Sequence, residues 1–186
     1  MAKTIFITED YAKAYANIDD NVGAKTIAIS IADAQDMFIE PLLGTRLTNK
    51  LTDDIVANTL TGNYKILLED YIAPALVRFA EYQLIPTNHY RIRNKGLTTK
   101  QSESSTSASR GEVSFRMNLA KEKADHYAMK LVDCLKCNTN LFPEYGQSTE
   151  GGELKPSNSA ASTTWYLGQR SRVKRNYDKG KNCKNC

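Results

Sequence analysis

The chain is poor in the residues that most chemistry needs: two histidines, His89 and His126, one tryptophan and four cysteines in 186 residues. Neither histidine has a partner at a spacing that builds a general base or a metal site, and GxSxG, a phosphate-cradling glycine-rich loop and HExxH are all missing. Acids come in pairs, Glu9-Asp10, Asp19-Asp20, Asp53-Asp54 and Glu69-Asp70, which read as solvated helix and turn residues, some placed favourably near helix N-termini. No catalytic residue is expected, and the chain reads as a non-enzyme. No stretch approaches the roughly 20 apolar residues of a membrane span, and MAKTIFITEDY lacks the charged, apolar and small-residue succession of a signal peptide. The expectation is a protein with no membrane partner, made in a reducing cytoplasm.

What is present is a helix-rich body, residues 1–145, followed by a core-poor basic arm, residues 146–186. From Arg170 to Cys186 there are seven Lys or Arg against one Asp, so this stretch carries +6 of a formal net charge of +4 and the remainder carries −2. The basicity therefore belongs to the arm. Thr4–Thr8 alternates weakly and reads as a short edge strand or an extended lead-in, with a helical turn over Glu9–Tyr15. Ile27, Ile31, Ala34, Phe38 and Leu42 fall on one helix face, with Ser30 and Asp33 spaced as a capping box, and Pro41 and Gly44 end or bend that helix. Leu47, Leu51 and Ile55 predict a second helix over Thr45–Ala57, broken at Thr61-Gly62-Asn63. A longer helix over Tyr64–Leu84 carries Leu67, Leu68, Tyr71, Ile72, Ala75, Leu76 and Phe79, with a kink predicted at Pro74.

Beyond Pro86 the chain turns polar, and Gly96–Arg110 is rich in Ser and Thr, which reads as a β-type excursion or a loop. A last helix, Val113–Cys137, about 37 Å long, places Met117, Ala120, Ala124, Tyr127, Leu131 and Leu135 on one face. The fold class is mainly α: a helical bundle of about four helices with a kinked long helix, a Ser-rich excursion and an extended C-terminal arm.

Two patterns carry candidate site residues. Cys134-Leu-Lys-Cys137 and Cys183-Lys-Asn-Cys186 are CxxC pairs, the spacing at which two thiolates reach one zinc. The 45 intervening residues exceed the roughly 15–20 of a compact zinc ribbon. The four cysteines either clamp the arm to the body through zinc or form one helical pair partly in the core and one terminal pair. In the arm, Trp165, Tyr166 and Leu167 form a compact apolar cluster followed by Arg170, Arg172, Lys174 and Arg175. Such a cluster suits a docking peptide, since a few buried aromatic side chains carry most interface energy, or it folds back onto the body. The basic run is a solvated terminus or a non-specific phosphate contact.

The segments AQDMFIEPLLGTRLTNKL (Ala34–Leu51), YKILLEDYIAPALVRFAEYQ (Tyr64–Gln83), IRNKG (Ile92–Gly96) and LFPEY (Leu141–Tyr145), in this order, resemble the head-tail connector, or adaptor, proteins of tailed phages, most closely the ring proteins of crAss-like phages. The resemblance implies a virion structural protein at the head-tail junction, assembled as a twelve-fold ring beneath the portal protein. Such a ring extends the DNA channel and presents a surface to the next tail or ring protein. Its partners would be the portal, neighbouring copies of itself, that next component and, non-specifically, the DNA in the channel. The alternative from a different class is a small nucleic-acid-binding protein acting through the basic arm.

Overall fold

Two prolines sit where a long helix would ordinarily break, and in both places the chain remains helical by widening its turn. In the computed structural model, which describes residues 4–93, 96–99, 108–147 and 152–156, Ala24–Ala34 passes through a π-helical stretch, Gln35–Ile39, into Glu40–Leu43, together α2. Likewise Gly62–Ile66 passes through the π-helical Leu67–Ile72 into Ala73–His89, together α4. In each case the residue just before the proline donates to a carbonyl five residues back: Glu40 N–H to Gln35, ahead of Pro41, and Ala73 N–H to Leu68, ahead of Pro74. A proline cannot donate and crowds the carbonyl of residue i−4, so an extra residue in the preceding turn relieves the helix where its regular bond is lost anyway. The kink predicted at Pro74 thus takes the form of a π turn.

The remaining elements are α1 (Glu9–Tyr15), α3 (Thr45–Val56), an antiparallel hairpin of β1 (Tyr90–Arg93) and β2 (Gly96–Thr99), and α5 (Arg110–Cys137). The protein is therefore mainly helical, with five helices among the described residues, including the long joined α4. Thr4–Thr8 is an extended lead-in rather than a strand, and Thr8 caps α1 by accepting the Tyr11 N–H. Three local expectations are corrected. α2 starts at Ala24 behind Gly23, and Ser30 lies inside it, its hydroxyl donating back to the Thr26 carbonyl instead of capping. α4 continues through Pro86 to His89. The capping box belongs to α5: Ser109 Oγ accepts the Glu112 N–H at 3.3 Å and Glu112 Oε2 accepts the Ser109 N–H at 2.7 Å. Those bonds from Ser109 hold the Glu112 carboxyl below its ordinary pKa.

α4 is the central element. Ile72, Ala75, Leu76, Phe79 and Ala80 are buried, and α2 and α5 both pack on α4 with little direct contact between themselves. α5 approaches through Ala120, Ala124 and Ala128, four residues apart and all buried, before Leu131 and Leu135 fill the space beyond. Small side chains at this spacing let two helix backbones come close. Met117 and Tyr127, placed on this face from periodicity, are only partly buried. α2 contributes Ile27, Ile31, Ile39 and Leu43 to the same core, and α3 contributes Leu47 and Leu51. Each such side chain stabilises the fold by about 1.5–3 kcal/mol through removal of apolar surface from water.

Candidate interaction surfaces

Because α2 and α5 flank α4, each turns one face inward and one away from the core. The outward face of α2 presents Ile29, Asp33 and Met37, at four-residue steps, with Met37 61% exposed. That of α5 presents Phe115, which is 71% exposed, together with Glu122, His126 and Met129. On a 3.6-residue helix these four lie within roughly 60° of one another. Large apolar side chains thus stand among charges on two separate faces. Met37 already accepts a hydrogen bond on sulfur from Gln83 Nε2 of α4 at 3.3 Å, which fixes the rim of the α2 face.

A third surface is the corner between α2 and α3, where residues of the arm return to the body. Thr45 N–H donates to the Leu154 carbonyl at 3.2 Å, and Leu154 N–H donates to Thr45 Oγ1 at 2.9 Å. Arg46 Nε reaches both Glu153 carboxylate oxygens, at 3.3 and 3.0 Å. Gly44 makes the approach possible: its φ is +78°, and a Cβ there would lie 2.9 Å from the Pro156 ring. Only glycine takes that backbone conformation without strain. The segment of the arm from Gly152 to Pro156 is thereby rooted at the start of α3.

The LFPEY segment closes the opposite end of α4. Phe142 is buried and meets the Tyr64 ring edge-on at 5.5 Å, while the Tyr64 hydroxyl donates to Glu144 Oε2 at 2.7 Å. Burial first, and the bond to Glu144 second, hold the Tyr64 phenol well above its ordinary pKa. Lys50 stands over the same ring at 5.5 Å and pairs with Asp54 at 2.7 Å, which raises its own pKa.

At the hairpin end, Glu81 of α4 is 3% exposed and bridges two cations. It accepts from Arg78 at 3.0 Å within α4 and from Arg116 of α5 at 2.7 Å. A buried carboxylate needs such partners, and the pair from different helices fixes their relative register.

Of the cysteines singled out as zinc candidates, Cys134 lies in the core face of α5 and Cys137 on its exposed side. Cys183 and Cys186 lie outside the described residues, as do Trp165, Tyr166, Leu167, Arg170, Arg172, Lys174 and Arg175. Among the described residues no group of three or more His, Cys, Asp or Glu is arranged to hold a metal ion, and no helix is long and apolar enough to cross a membrane. Gln35 and Glu81 were not singled out from the sequence, and Gly44, which ends α2 as its position predicts, was not expected to seat the arm. A polar side chain on an otherwise apolar helix face was the available signal for the first two.

No curated protein and no solved structure matches the chain. A family match covers residues 39–153, from the end of the first π-helical stretch, through α3, α4, the hairpin and α5, to the first residues rooted at Gly44. The match spans more than half of the sequence, and the chain belongs to that family, DUF6712, a family of unknown function.

Proposed function

We propose that this protein is a virion structural protein, a head-tail connector subunit that forms a closed ring, joins the portal to the tail and extends the DNA channel. The observation that carries the reading is the placement of exposed apolar side chains on two different faces, Ile29 and Met37 on α2 and Phe115 and Met129 on α5, on either flank of α4. A ring of identical subunits needs two unlike surfaces that meet head to tail and close by rotation. The order of the segments that resemble phage connectors supplies the twelve-fold copy number and the portal as partner. The arm, leaving the body from the α2–α3 corner, is the part proposed to dock on the portal through Trp165, Tyr166 and Leu167, with Arg170, Arg172, Lys174 and Arg175 beside them.

The test exploits the two faces. Ile29→Asp spoils one and leaves the α5 face intact, whereas Phe115→Asp does the reverse. Each variant alone should remain monomeric, and an equimolar mixture should form a one-to-one pair and stop there. Rings of ordinary size from either single variant would refute the pairing of these faces.

A further inference from the structure

The arginines of the body are concentrated at one end. Among the described residues, Arg78, Arg91, Arg93, Arg110 and Arg116 all belong to the hairpin end of the α4–α5 pair, and Arg46 is the one arginine elsewhere. Lys95 and Lys100 belong to the same stretch of sequence, and the remaining lysines of the body stand outside it. Charge follows the same division. Residues 4–89 hold six Lys or Arg against twelve Asp or Glu, a balance of −6. Residues 90–116 hold six Lys or Arg against two Asp or Glu, a balance of +4.

Among the described residues, the acids at this end are already committed. Glu81 is shared by Arg78 and Arg116, two cations on one carboxylate. Glu112 accepts the Ser109 N–H and hydroxyl at 2.7 Å each. Arg110 is exposed and makes no ion pair among the described residues. Arg91 and Arg93 stand at alternate positions of β1, in register with Thr98 and Gly96 of β2. Arginine presents a planar, weakly hydrated fork that fits phosphate oxygens two at a time, which a lysine ammonium does not.

We infer that the hairpin end of the body, centred on Arg91, Arg93 and Arg110, is a binding surface for the phosphate backbone of duplex DNA. Binding there is independent of base sequence, and the acidic remainder of the body orients the protein so that this end leads. The inference takes its setting, a subunit beside a DNA channel, from the proposed connector function. Its test reads DNA binding alone, so failure to form a ring and failure to bind at this surface are distinguishable.

The full chain is titrated with a 30-base-pair duplex of arbitrary sequence across a salt series. Three variants are compared with it: Arg91→Gln/Arg93→Gln/Arg110→Gln; Lys25→Gln/Lys65→Gln/Lys123→Gln, which removes the same charge elsewhere on the body; and a chain whose seven Lys and Arg between 170 and 184 are Gln. Loss of three phosphate contacts should lower the slope of log K against log salt by about 2.7 and weaken binding by about tenfold or more near 100 mM salt. The matched lysine variant should bind as the parent does. The arm variant should retain the part of the slope that the arginine variant loses. If the triple arginine variant does not fold, Arg110→Gln alone should lower the slope by about one. The proposal is overturned if the arginine variant binds as the parent does, if the two body variants lose affinity equally, or if no duplex binding occurs at low salt. It is also overturned if the arginine variant keeps DNA and loses the portal, which would make this end a surface for an acidic protein.

Discussion

The side-chain amide of Gln35 serves Phe6 as a neighbouring strand would. Gln35 Oε1 accepts the Phe6 N–H at 2.9 Å, and Gln35 Nε2 donates to the Thr4 carbonyl at 3.1 Å. Alongside the burial of Phe6 and Ile7 in the core, this buried side chain, which lies in a π-helical stretch, ties the lead-in of α1 to α2.

Gln35→Ala should leave the buried Phe6 N–H and the Thr4 carbonyl without those partners, at a cost of about 1–3 kcal/mol. Gln35→Glu should be at least as harmful, because a carboxylate keeps the acceptor and loses the donor facing Thr4. Urea unfolding measures both, and a cost below about 0.5 kcal/mol for the alanine variant would show that the amide does not hold the lead-in.

Gly44→Ala should both strain the backbone at φ +78° and drive a methyl group into the Pro156 ring and the Leu154 carbonyl, which would lie 2.9 and 3.1 Å away. The strain costs about 1–3 kcal/mol, and the arm root should detach. Hydrogen exchange at the Leu154 amide, bonded to Thr45 Oγ1 in the parent, should accelerate. Unchanged protection there would mean that the contact does not depend on Gly44.

Glu81→Ala should cost more than Arg116→Ala. Removing the carboxylate leaves Arg78 and Arg116 without their shared acceptor, whereas removing Arg116 leaves Glu81 still paired with Arg78 at 3.0 Å. Hydrogen bonds to charged groups are worth about 1.5–3 kcal/mol, and the arginine side chains, 23% and 36% exposed, recover part of the loss by hydration. A double-mutant cycle between positions 81 and 116 should give a coupling of about 1 kcal/mol. Additive losses would show that the α4–α5 bridge does not contribute.

Alkaline pH should weaken the fold. Tyr64, Tyr11 and Tyr145 all have raised pKa values, burial being the leading cause in each. A folded-state pKa above the unfolded value near 10 means stability that is complete below pH 10 and lost as the pH climbs toward the folded values. Tyr64→Phe, which also removes the bond to Glu144, should reduce the slope of stability against pH above 10. An unchanged slope would contradict the assignment of Tyr64 to that titration.

The helices were legible from apolar spacing because Ile27, Ile31, Leu47, Leu51, Leu76 and Leu135 are all buried where the periodicity put them. The joints were less so. Ser30-x-x-Asp33 and Ser109-x-x-Glu112 carry similar signatures, yet only the second follows a non-helical residue, because α2 already begins at Ala24 behind Gly23, which places Ser30 in the helix interior. Pro86 looked like a terminator. The helix nevertheless runs to His89, and the Pro86 carbonyl accepts the Tyr90 N–H that closes its last turn. The Phe38-Ile39-Glu40-Pro41 and Tyr71-Ile72-Ala73-Pro74 segments share an aromatic-Ile-x-Pro pattern, but only the structure shows that both mark π turns. Interaction surfaces were the hardest to read, because Phe115 and Met37 carry the same apolar signal whether they face the core or turn away from it.

Ring assembly beneath a portal is tested most directly by the native mass of the full chain, alone and mixed with the cognate portal protein. Beside it, a chain ending at Pro156 keeps the root at Gly44 and lacks the proposed docking residues. A single large complex of portal and full chain with a fixed copy number is expected, and no such complex for the shortened chain. A full chain that stays apart from the portal at every concentration would contradict it.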